Sequence, residues 1–81
     1  MNPLTNQIEI YPNPTSNSLK ITSSLEINSL QITDIIGSVL MSKSDIYAKE
    51  MAADLNTYKE GVYFVKVCTE AGSETVRIVK Q

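Results

Sequence analysis

The run Gly61-Val62-Tyr63-Phe64-Val65-Lys66-Val67-Cys68 restricts the fold more than any other part of the chain. Val, Tyr and Phe suit a pleated surface. Because side chains alternate along a strand, Tyr63, Val65 and Val67 share one face, and Val62, Phe64 and Cys68 share the other. Apolar residues on both faces suggest a central position in a sheet. The rest of the chain supplies neighbours only in short pieces. No stretch supports the pair of long amphipathic helices that a ferredoxin-like fold needs, so the expected class is all-β, a small antiparallel sandwich of six or seven short strands.

The pieces can be read in order. Ile8-Glu9-Ile10-Tyr11 is a brief extended run, stopped by Pro12-Asn13-Pro14, where the prolines fix the backbone and remove amide donors. Asn13 is expected to close a local Asx turn, which Thr15, Ser16 and Asn17 extend. Leu19 and Ile21 alternate with Lys20 and Thr22 as a half-exposed strand. Ser23-Ser24 is expected to open a link, with Ile27 in a short strand or in the link itself. Leu30 to Asp34 alternates again and Val39-Leu40-Met41 resumes it. Between them Gly37, which takes a positive φ at little steric cost, fits a hairpin turn, and Asp34 is expected to accept backbone donors there. A strand around Ala48 to Met51 is expected next, then a turn or single helical turn at Asp54-Leu55 that drops Leu55 and Tyr58 onto the core. Glu70-Ala71-Gly72-Ser73 makes the last turn.

The final run, Thr75-Val76-Arg77-Ile78-Val79-Lys80-Gln81, is a hydrophobic strand with a basic tip. It is expected to be held by the rest of the fold while its last residues stay free for a partner to read. The function is expected at this end rather than at a catalytic group.

Composition narrows the chemistry. The 81 residues make one small domain, and an apolar content of 42% gives a thin core without a deep substrate cavity. The net charge is −2 and the basic residues are scattered, so no nucleic-acid site is read. With no His and a single Cys, neither a zinc cluster nor a Ser-His-Asp or Cys-His arrangement can be assembled. No cofactor, metal or catalytic residue is expected. Cys68 reads as a buried core thiol, and Asp34 and Asp54 as turn residues rather than calcium ligands, because no dense Asp/Asn loop surrounds them. Tyr11, Tyr47, Tyr58 and Tyr63 could form a sugar platform, although Tyr is also an ordinary strand residue. No segment approaches the roughly 20 apolar residues of a membrane span. Residues 1–6 lack the features of a signal peptide, so an export signal, if there is one, is expected upstream in a longer parent chain.

Several motifs stand in order along the chain. Tyr11-Pro12-Asn13-Pro14 is followed by Ser18-Leu19-Lys20-Ile21, and then by Leu30 to Leu40 with Asp34 and Gly37. Next come Asp54-Leu55 through Gly61-Val62-Tyr63 to Val67, and finally Gly72 to Lys80. Together they resemble the C-terminal sorting domain of type IX (Por) secretion cargo proteins of Bacteroidetes, type A. The stretch from Lys43 to Ala53 carries little of that pattern.

The resemblance implies an immunoglobulin-like sandwich without catalysis, at the end of a larger secreted protein. Residues 1–7 would be a flexible lead-in and residues 8–81 the sorting domain. The parent would pass through the periplasm to the outer-membrane type IX machinery and reach the cell surface. A surface protease of sortase-like role would then cut near the domain's start and could anchor the cargo. The resemblance places recognition at the closing strand, here Val76, Arg77, Ile78, Val79 and Lys80. Other partners are the upstream cargo domain and, through exposed strand edges, a second copy. The alternative is an accessory module that binds glycan or assists adhesion.

Overall fold

Apolar alternation becomes strand pairing throughout the computed structural model, which describes residues 7–81. The strands are β1 (Ile8–Tyr11), β2 (Ser18–Ile27), β3 (Ser29–Asp34), β4 (Val39–Lys43), β5 (Ala48–Asp54), β6 (Gly61–Thr69) and β7 (Gly72–Lys80). They form two sheets, one ordered β1-β2-β5 and the other β4-β3-β6-β7. Every pairing between these strands is antiparallel. The fold is therefore an all-β sandwich, and β6 lies inside its sheet between β3 and β7, as its doubly apolar sequence requires. Of the expected lead-in, residues 1–6 lie outside the described residues. Gln7 bonds Ser24, its N–H donating to Ser24 Oγ at 3.0 Å and its carbonyl accepting from Ser24 N at 3.1 Å.

The core fills the space between the inner faces. Leu19, Ile21, Ile27 and Ala53 come from the three-stranded sheet; Leu30, Ile32, Tyr63, Val65, Val67 and Ile78 come from the other. Each set sits at alternate positions of its strands, which is why short runs suffice: every second side chain leaves water. Leu55 completes the core from the β5–β6 connection, and Tyr58 packs beside it, as the sequence predicts. Asp54 Oδ1 accepts from Asn56 N at 2.9 Å and Tyr58 N donates to Leu55 O at 2.9 Å, making a tight turn here.

Two local expectations change. Ser23-Ser24 does not open a link, because β2 continues to Ile27 across a shift in register against β5. Ser23 Oγ donates to Leu25 O at 2.5 Å and accepts from Leu25 N at 3.2 Å, so the hydroxyl supports the backbone where the ladder is irregular. Cys68 is not a core thiol. It is half-buried on the outer face of β6, since the alternate positions Tyr63, Val65, Val67 and Thr69 are the ones that turn inward. In the β4–β5 connection Asp45 and Tyr47 both take positive φ, 55° and 49°, on either side of Ile46. That bend lets Ile46 pack against the core while its N–H donates to Asn28 O at 3.1 Å.

Leu55→Ala should cost about 2–5 kcal/mol, because Leu55 is fully buried and sits where both sheets end. Urea unfolding of the purified chain checks this. A loss below about 1 kcal/mol would mean that the connection relaxes into the cavity.

Candidate functional site

The residues singled out from sequence gather at one end of the sandwich. The end of β7 pairs with the start of β6, Gly61 opposite Lys80 and Tyr63 opposite Ile78, and Asp34 of β3 lies opposite Tyr63. The segment after β1 arrives at the same place. It leaves the three-stranded sheet at Tyr11, crosses to the other sheet, and at Thr15 forms a parallel bridge with Lys80. The Tyr11–Pro12 and Asn13–Pro14 peptide bonds within it are cis.

Asn13 does not close a turn of its own. Its Nδ2 donates to Arg77 O at 3.1 Å and its Oδ1 accepts from Val79 N at 3.1 Å. The carboxamide thus takes the place of a neighbouring strand's peptide group on β7. Thr15 carries the pairing on: its N–H donates to Val79 O at 2.9 Å and its carbonyl accepts from Gln81 N at 2.7 Å. The prolines on either side of Asn13 have no N–H to satisfy, so this crossing chain loses little by leaving its own sheet. Thr15 is buried, and its hydroxyl donates to Ser18 O at 2.7 Å. Sequence reading treated it as one more turn residue. The only available signal was a β-branched residue after a proline, which is weak.

The basic tip is not bare. Lys80 is only 8% exposed, and its Nζ donates to Tyr58 O at 3.1 Å. Inward alternation along β7 forces this, since Lys80 shares a face with Ile78 and Val76. Its ammonium satisfies a turn carbonyl that would otherwise be buried beside the core. Tyr63, also inward, donates through its hydroxyl to Lys59 O at 2.6 Å, and its ring lies 5.4 Å from that of Tyr58. Of the expected recognition residues, Ile78 and Lys80 are buried, Val76 and Val79 half-buried, and Arg77 exposed.

The remaining motif residues have structural places. Asp34 Oδ1 accepts from Ile36 N at 3.1 Å and Ser38 N at 2.9 Å, and Gly37 takes φ 90° in the turn, as expected for that hairpin. Gly61 opens β6, and Val62 lies half-buried on its outer face. Tyr11 stands on the outer face of the other sheet, opposite Lys20. Tyr47 is 62% exposed in the β4–β5 connection, whereas Tyr58 and Tyr63 pack together inside. The four tyrosines therefore do not make one platform. Among the described residues, no three His, Cys, Asp or Glu side chains cluster to hold a metal ion.

Two groups titrate away from their ordinary values. Burial raises the Tyr58 hydroxyl above its usual 10.0, aided by the nearby Tyr63 and Asp54. The hydrogen bond and ion pair with Glu50, at 2.9 Å, raise the exposed Lys20 ammonium above 10.5. Both shifts are upward, so the folded chain keeps these protons to higher pH than the unfolded chain. The stability they contribute is complete below the ordinary values and declines as pH rises through and beyond them. The melting temperature should accordingly fall above about pH 10, and more gently in Tyr58→Phe. An identical fall in the variant would remove Tyr58 as a cause.

Asn13→Ala should cost about 1 kcal/mol, since both lost bonds lie near solvent. Amide exchange at Val79 should quicken at least about tenfold, while Val65 inside the ladder keeps its protection. Unchanged exchange at Val79 would show that Thr15 alone holds the strand.

No curated protein matches the chain. Residues 9–81 match the family described as the secretion system C-terminal sorting domain. That span runs from β1 through the stitched end of β7 and takes in every motif placed above. The chain belongs to this family, the non-catalytic sorting signal of the type IX (Por) secretion system, which is exported to the outer membrane and cell surface as part of its cargo.

Proposed function

We propose that this domain is read by the export machinery at the stitched end of β7, with Val76, Arg77, Ile78, Val79 and Lys80 in separate roles. Arg77 and Val79 present side chains to a receptor. Val76, Ile78 and Lys80 hold the strand in place from below. The observation that carries this reading is the convergence of the family's motif residues on that one end, around a strand tied by Asn13 and Thr15.

Finer points extend the reading. The orders β1-β2-β5 and β3-β6-β7 match strands A-B-E and C-F-G of an immunoglobulin sandwich, with β4 beside β3 rather than beside β5, and this shared order supports an immunoglobulin-like assignment. Residues 1–7 serve as the lead-in from a cargo domain and 8–81 as the sorting unit, and a sortase-like surface protease cuts in or near that lead-in. Tyr11 begins the crossing to β7, so cutting on its upstream side leaves the stitched end intact. Among the described residues β4 ends its sheet, and its outer edge offers a place where two copies could pair.

Fusion of a signal peptide and a fluorescent reporter ahead of residues 1–81, in a host with and without type IX machinery, tests the function. Surface delivery is expected only when the machinery is present. A folded fusion that stays in the periplasm of the competent host would refute it.

A further inference from the structure

We infer that the partner reads a sheet face and not a strand edge, and that this face joins the outer side of β7 to an exposed isoleucine turn. The inference rests on the sorting function proposed above and names the surface and the partner chemistry.

The edge is largely closed where recognition is expected. Thr69 and Gly72 face each other across the β6–β7 turn, so alternate residues of β7 bond β6, and the N–H and C=O groups of Ser73, Thr75, Arg77 and Val79 point away from it. The carbonyl of Arg77 and both groups of Val79 are taken by Asn13 and Thr15, as is the N–H of Gln81. Strand addition at the end of β7 would have to displace this stitch. Side chains do not have that obstacle. Arg77 is exposed on the outer face, beside Phe64 of β6, with Val79 opposite Val62. The same row continues through Thr33 of β3 to Val39 of β4.

The turn that follows β3 rises at this end. Ile35 and Ile36 are 71% and 82% exposed, and Val39 is 53% exposed. The turn is held rigid, because besides the Asp34 carboxylate bonds, Gly37 N donates to Asp34 O and Asp34 N to Ser38 O, both at 3.1 Å. Two large apolar side chains fixed in water by a preorganised backbone are the form of a docking knob, since little entropy is lost when they are bound.

Charge identifies the partner. The outer face of the four-stranded sheet carries Lys66 and Arg77 but no carboxylate, in a chain with nine acidic residues. Glu9, Glu26, Glu50 and Asp54 belong to the other sheet. Asp34 and Glu74 alternate with the inward set, and Asp45, Glu60 and Glu70 lie in connections. The complementary surface is a protein face that is apolar and bears carboxylates. Two cations attract anionic lipid too weakly to hold an acidic domain on a membrane. A second copy is a poor occupant, because pairing the face with itself would set the Lys66 and Arg77 cations of one copy against those of the other.

The test compares variants of residues 1–81 behind the same exported reporter. Ile36→Asp with Arg77→Glu changes only exposed side chains of the face and should cut surface delivery at least about tenfold with an unchanged melting curve. Thr75→Pro removes one outward N–H from the free part of the edge, Thr75→Ala controls for the loss of its outer-face side chain, and Thr22→Glu alters the opposite sheet; all three should deliver normally. If the double variant loses its cooperative melt, Ile36→Ser with Arg77→Gln replaces it. Normal delivery by the folded face variant, or loss only in Thr75→Pro, overturns the face in favour of edge addition. Binding of the purified domain to anionic vesicles, abolished by the double variant, would also overturn it, and so would a concentration-dependent dimer lost in the same variant. Failure of the unmodified domain to deliver the reporter brings down the sorting function itself, an outcome distinct from failure of the face alone.

Discussion

The bond pair between Asn13 and β7 is the constraint on which the rest of the arrangement depends. A two-sheet sandwich of this size has open edges on both sheets, and nothing within the sheets themselves ties the first strand to the last. The crossing segment supplies that tie. It begins in β1, paired with β2, and finishes on the edge of β7, in the opposite sheet. One side-chain amide and one bridging residue thereby join positions more than sixty residues apart. With a single cysteine and therefore no internal disulfide, this closure takes the place of a covalent staple. It also blunts an edge that would otherwise invite strand addition along its whole length.

The same closure explains the burial of Lys80. Once Thr15 lies along the outer edge of β7, the inward side chain at that level has the β5–β6 turn as its remaining neighbour, and the ammonium finds Tyr58 O. Leu55 N in turn bonds Asn17 O at 2.8 Å, so the turn is tied to the crossing segment as well. Crossing segment, turn and last strand therefore form one hydrogen-bonded unit. A basic residue that the sequence offers as an exposed tip becomes part of the interior because alternation along the strand leaves it no outward option.

What could be read from sequence was what depends on periodicity. Alternation located β1, β3, β4, β6 and β7 closely, because it sets which side chains face the core regardless of the partner strand: β3 and β6 bury alternate residues, while β1 and β4 only pack Ile8, Ile10 and Met41 against the core. The Asp34-to-Gly37 turn was legible for a different reason: a carboxylate within reach of successive amides and a glycine at positive φ are local chemistry. Residues that act at long range were not legible. Asn13 between prolines has an ordinary local use, and only the approach of β7 gives its amide another. Ser23 looked like the start of a link because a hydroxyl does not announce that it will support a bulge. Cys68 was assigned to the core on the strength of apolar neighbours, yet among the described residues no further layer covers the outer face of β6. The apolar residues on both sides of β6 were read as a central position, which the pairing between β3 and β7 bears out, and not as an exposed outer face.

An uncovered face next to a stitched strand has a consequence for sorting. Arg77, Val79, Phe64, Val62 and Val39 come from three different pairings and lie side by side only when β4, β3, β6 and β7 are in register. A linear signal at the end of a chain would be present in folded and unfolded cargo alike. A face assembled from four strands is present only after the domain has folded, and its last strand is held in place only after the segment nearest the cargo has crossed over to it. Recognition of such a face therefore selects for completed folding at both ends of the domain. A short accessible peptide cannot make that selection, and this gives a physical reason for using a whole sandwich, rather than a few residues, as an export signal.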